Sequence, residues 1–70
     1  MKFRMLESKY GDRKYVIEED LPEIGFYLYV YEGEDCIMDY LQDSIELCKE
    51  FAEEEFGVPT CSWIELRAEV

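Results

Sequence analysis

DCIMDYLQDSIELCKEFAEEEFG, residues 35–57, is the stretch whose reading decides the fold. Its acids Asp39, Asp43, Glu46, Glu50 and Glu53 follow steps of four, three, four and three. With Glu54 they fall within roughly a 100° arc at ~100° per residue. Ile37, Leu41, Ser44, Ile45, Cys48, Phe51 and Ala52 gather on the opposite side. This pattern predicts one long amphipathic helix over about 36–56, with Asp35 as N-cap and a broad core-facing stripe. Gly57 suits the left-handed position after the last turn, Val58 the apolar contact that follows, and Pro59 prevents continuation.

Working outward, residues 25–32 alternate cleanly: Phe26, Leu28 and Val30 on one face, Tyr27, Tyr29 and Tyr31 on the other. Two further strands are expected at about 2–7 and 13–18, joined by the turn chemistry of Lys9-Tyr10-Gly11-Asp12. Downstream, residues 62–67 fit either a short C-terminal strand or a helical turn, because Ser62-Trp63-Ile64-Glu65 also matches a capping box. The expected class is α+β: a three-stranded antiparallel meander packed on one long helix, with residues 1–70 as a single small domain.

Seventy residues lie near the size at which one core becomes marginal, so association would help the fold. The hydrophobic content of 49% and aromatic content of 16% exclude a disordered acidic tail. The net charge of −11 is unevenly spread. Residues 1–14 hold Lys2, Arg4, Lys9, Arg13 and Lys14 against Glu7 and Asp12, whereas residues 15–70 set sixteen acids against Lys49 and Arg67. Such a field argues against direct nucleic-acid binding and against an anionic membrane surface, and it favours a basic protein partner. Nothing at the N-terminus reads as a signal peptide, and no segment approaches the ~20 apolar residues of a membrane span. Cys36, Cys48 and Cys61 are an odd count without a CxxC pair, which fits a reduced, cytoplasmic setting.

The chain has no histidine, which removes the commonest general base, the usual triads and most zinc sites. Glycines at 11, 25, 33 and 57 stand alone, so no phosphate loop is present. Carboxylates on a convex helix ridge lack the dry pocket that separates pKa values. Neither an enzyme nor a cofactor or metal site is expected. Cys36, near the expected helix start, reads as a small semi-buried residue and not as a nucleophile.

Two surfaces are the candidates. The first is the acidic ridge of Asp39, Asp43, Glu46, Glu50, Glu53 and Glu54, with ~21 Å between Asp39 and Glu53. Like charges at these spacings, and acids at a helix C-terminus, cost about 1–2 kcal/mol in isolation, so local stability does not explain them. The bland alternative is a solvated face that keeps the chain soluble. The second is the tyrosine face of Tyr27, Tyr29 and Tyr31, which has no element left to cover it and could be bordered by Lys2 and Arg4. In size, charge and composition the chain is similar to bacterial and phage inhibitors such as nuclease immunity proteins and nucleic-acid mimics, though it shares no motif with them. The first functional expectation is therefore a small acidic interaction module, of inhibitor, immunity or mimic type, that binds a basic protein surface through its helix. The alternative is a structural αβ module that homodimerises through Tyr27, Tyr29 and Tyr31.

Overall fold

In the computed structural model, which describes residues 4–20 and 24–66, the expected meander is the centre of a larger sheet. The elements are β1 (Met5–Tyr10), β2 (Arg13–Glu19), β3 (Phe26–Glu32), β4 (Asp35–Gln42), α1 (Ile45–Phe56), a 3₁₀ turn (Thr60–Ser62) and β5 (Ile64–Leu66). All pairings are antiparallel, in the order β4-β3-β2-β1-β5, and α1 packs on one face. The class is α+β, as the sequence implied.

The main departure from the expected fold lies in residues 35–57. Residues 35–42 form a fourth strand, and the helix is confined to the second half of that stretch. Two local features cause this. Gly33-Glu34 is a two-residue hairpin loop closing on the Glu32↔Asp35 pair, with Gly33 at φ +65. A positive φ at the first loop residue followed by a negative one is the turn whose twist matches paired strands, and glycine adopts it without strain. Ser44, not Asp35, is the N-cap: its Oγ accepts from the Leu47 N–H at 3.1 Å. Gly57 closes α1 as expected, its N–H bonded to Glu53 O at 2.9 Å.

The core forms where the sheet meets α1. Leu6, Tyr15, Ile17, Leu28 and Val30 from β1–β3 bury against Ile45, Cys48 and Ala52 of α1, with Val58 closing the end. Each fully buried aliphatic side chain contributes about 1.5–3 kcal/mol. Tyr40 of β4 meets Phe51 at a 52° tilt with ring centroids 4.5 Å apart, and Phe56 meets Tyr15 at 5.5 Å, sealing the sides. Met38 and Tyr40 thus occupy the core-facing places expected for Ile37 and Leu41, which are instead 39% and 51% exposed.

At the C-terminal side the strand alternative is the one that forms, over Ile64–Leu66. The capping box at Ser62 starts no helical turn, because Trp63 is extended and the Glu65 carboxylate is held by Arg4, and a 3₁₀ turn lies just upstream. The 3₁₀ turn carries Ser62, whose Oγ lies 2.6 Å from buried Ser8 Oγ, and Trp63 packs against the core. β5 then pairs with β1, anchored by Arg4, which donates to both Glu65 carboxylate oxygens at 2.7 and 2.8 Å. The first strand, expected at 2–7, is observed from Met5 to Tyr10; residues 1–3 lie outside the described part.

Candidate interaction surfaces

The acidic row is shorter than its spacing implied. Glu46, Glu50, Glu53 and Glu54 are exposed on α1, and Asp43 is exposed just before its cap. Asp39 belongs to β4, where it pairs with Tyr29 and so points to the sheet face away from α1. Glu46 to Glu54 covers eight rises, ~12 Å, in place of ~21 Å. None of these helix acids stands within ion-pair distance of a cation among the described residues. The last turn holds Glu53, Glu54 and Glu55 and no basic residue of its own; the Arg13 guanidinium, 5.9 Å from the Phe56 ring centroid, approaches this end from β2, so the macrodipole penalty is only partly offset.

The opposite sheet face is an ordered lattice. Cross-strand partners share a face, so the registers define three rows. One row is Leu41, Tyr27, Glu18, Met5 and Leu66. The next is Asp39, Tyr29, Val16, Glu7 and Ile64. The third is Cys36, Tyr31, Lys14 and Lys9. Tyr27 and Tyr29 stack at 5.7 Å, and Tyr29 and Tyr31 are 6.5 Å apart. Lys14 Nζ sits 5.1 Å from the Tyr31 ring centroid and 3.9 Å from Glu7. Burial, reinforced by Glu18, Tyr27 and Asp39, pushes the Tyr29 hydroxyl above the usual tyrosine range. Val16 is only 8% exposed although it lies outside the core cluster, because these side chains close over it. Among the described residues no element crosses this face, and Ile64 is 67% exposed on it.

Two expectations about this face change. Arg4, expected beside the tyrosines, alternates with Leu6 on the α1 side and is spent on Glu65. Lys2 lies outside the described residues. The cations that do reach the face are Lys9 and Lys14, which the two-residue Gly11-Asp12 loop pairs directly with one another. That loop length was the missed signal, since it fixes which residues stand opposite.

A shallow depression of about 350 Å³ between the two hairpin loops is lined by Lys9, Gly11, Asp12, Arg13, Lys14 and Gly33. Two of its cations already have carboxylate partners, Arg13 with Glu32 at 3.4 Å and Lys14 with Glu7. Cys36, expected at a helix start, is on β4 with its thiol facing Met38 O at 3.5 Å, and no helix N-terminus activates it. Cys48 is fully buried, and burial pushes its thiol up to about 11. All three cysteines are free. Among the described residues no group of three or more acidic, cysteine or histidine side chains could hold a metal ion, and no helix is long and apolar enough to cross a membrane. No protein-family model, curated protein or solved structure matches the chain.

Proposed function

We propose that the chain is a small acidic interaction module, a binding protein and not an enzyme, that presents the outer face of α1 to a basic protein surface. The observation that carries this is the row Glu46, Glu50, Glu53 and Glu54, all exposed and without an ion-pair partner among the described residues, which runs from the first turn of α1 to a last turn that holds no basic residue. Repulsion along the row and the macrodipole acting on Glu53 and Glu54 together cost about 1 kcal/mol, and a cationic partner recovers it. Asp43 lies close enough to extend the row; Asp39 takes no part. An inhibitor or immunity-type protein for a nucleic-acid-binding enzyme or toxin is the most concrete form. A row of ~12 Å imitates about two steps of a phosphate backbone, so partner recognition rests on a compact acidic patch more than on mimicry of a long strand.

The test compares the native chain with a Glu46→Lys, Glu50→Lys, Glu54→Lys variant as bait in lysate of the source organism. Circular dichroism of both confirms the fold. A basic protein held by the native chain, released by a salt step and lost by the variant supports the reading, since steered association is salt-dependent. Identical capture by both baits, or none by either, would leave the acids as a solvating face.

A further inference from the structure

The tyrosine face has a charge pattern that matches itself. Its cations, Lys9 and Lys14, occupy the row nearest the hairpin loops. Glu18 occupies the row four residues further along β2, on the far side of Val16. We propose that this face is covered by a second copy of the chain. The two sheets pack face to face about a two-fold axis that runs across the strands through Val16. This inference is independent of the acidic helix, which lies on the other side of the sheet.

Such an axis reverses strand direction and keeps β2 over β2. It sets Glu18 of each copy over Lys14 of the other, and Tyr27 over Tyr31, each contact made twice. Val16, Tyr29 and Ile64 meet their own counterparts along the axis, giving an apolar and aromatic centre. Glu7 also falls near the axis opposite its own counterpart, so each Lys14 is shared between Glu7 of its own chain, 3.9 Å away, and Glu18 of the other, while Lys9 lies over Met5. Asp39 stands on the edge strand, where water solvates it.

The area is adequate. Five strands at ~4.8 Å spacing and three rows ~7 Å apart, with side-chain margins, present roughly 500 Å² per copy. A pair therefore buries about 1,000 Å², the lower bound for a specific interface. Edge-to-edge pairing is the poorer route. β5 is three residues long, and β4 is interrupted by a bulge at Ile37, where Val30 pairs with Met38 and Tyr31 with Cys36. The face is the longer continuous surface.

The test is sedimentation equilibrium of the full chain from micromolar to millimolar concentration. Lys14→Glu, Glu18→Lys and the double exchange are run beside it, with circular dichroism on each. The expected result is a native dimer with Kd of order 10–100 μM, weakened at least tenfold by either single change. The double exchange should return it to within threefold of the native value, because it restores the opposite charges. A native chain that stays monomeric to millimolar concentration overturns the proposal and assigns the face to a different partner. Dimers that persist in both single variants, or a folded double variant that stays monomeric, overturn the two-fold arrangement. Lys14→Glu also sets two carboxylates side by side within one chain, so Glu18→Lys provides the reading free of that effect.

Discussion

Replacing Gly25 by alanine tests the strand assignment of residues 35–42 more sharply than any change within them. Gly25 has φ +117, and a Cβ built there lies 2.5 Å from the Gln42 carbonyl oxygen. The backbone conformation alone costs a non-glycine residue about 1–3 kcal/mol. Restricting the unfolded chain returns about 0.4–1 kcal/mol. The clash is with backbone, so the end of β4 must move from Phe26, losing one or two ladder hydrogen bonds at about 1 kcal/mol each. The net loss is about 2–4 kcal/mol. Gly33→Ala is the control: φ is +65, and nothing lies within 4 Å of its Cβ. There the left-handed penalty of about 1–2 kcal/mol is partly offset by the same unfolded-state gain, leaving about 1 kcal/mol. A chain of 70 residues has about 3–10 kcal/mol in total, so the two losses are easily separated. Urea unfolding followed by Trp63 fluorescence measures both. Equal losses would mean that Gln42 does not lie over Gly25, and a helix running through residues 36–44 would then be the better description.

The remaining predictions use the same unfolding assay or simple thiol chemistry. Ser44→Ala should cost about 1 kcal/mol by removing the cap on Leu47, while Asp35→Ala stays within about 0.5 kcal/mol; the reverse order would restore the long helix. In dilute folded protein, below the proposed dimer Kd, Cys36 and Cys61 should react quickly with a thiol reagent, and Cys48 only on unfolding. The Cys48 thiol is raised in the folded state from 9.0 to about 11, so its contribution is complete below pH 9 and is lost as the pH rises towards 11. Between pH 8 and 10.5 the native chain should lose about 2 kcal/mol from this group, and Cys48→Ala should flatten that slope. An unchanged slope would put the alkaline loss elsewhere, with Tyr29 the next group to test.

The central hairpins, the helix end and the tyrosine face were legible because each rests on a short-range rule. β3 alternates without interruption, and Gly57-Val58-Pro59 ends a helix by local backbone chemistry. β4 was hidden for two reasons. Asp39 in β4 and Asp43 just before the cap happen to stand four residues apart, the spacing of one helix face, and so extended the helical series by coincidence. The bulge at Ile37 also shifts the alternation by one residue, placing Cys36 outward and Met38 inward and erasing the period of two. Gly33-Glu34, which repeats the glycine-first form of Gly11-Asp12, and Ser44 ahead of Ile45 were the signals that could have divided the stretch. β5 was ambiguous because its partner lies at the other end of the chain. The pairing of Leu6 with Glu65 and the ion pair of Arg4 with Glu65 leave no mark in local sequence. The charged border of the tyrosine face depended in turn on the β1–β2 register, which moved Arg4 away and brought Lys14 in.

One sheet separates the acids of α1 from the tyrosines, and this layering sets the valency of the molecule. Covering the tyrosine face with a second copy leaves both helices outermost and back to back, on the order of 30 Å apart across two sheets and their helices. Two acidic rows so placed cannot enter one groove together. They can bridge two basic sites, on two molecules or on one target that repeats its site at that separation. The second attachment is then intramolecular, at a millimolar effective concentration. A monomer with the same helix would act as a plug; the pair would act as a cross-link.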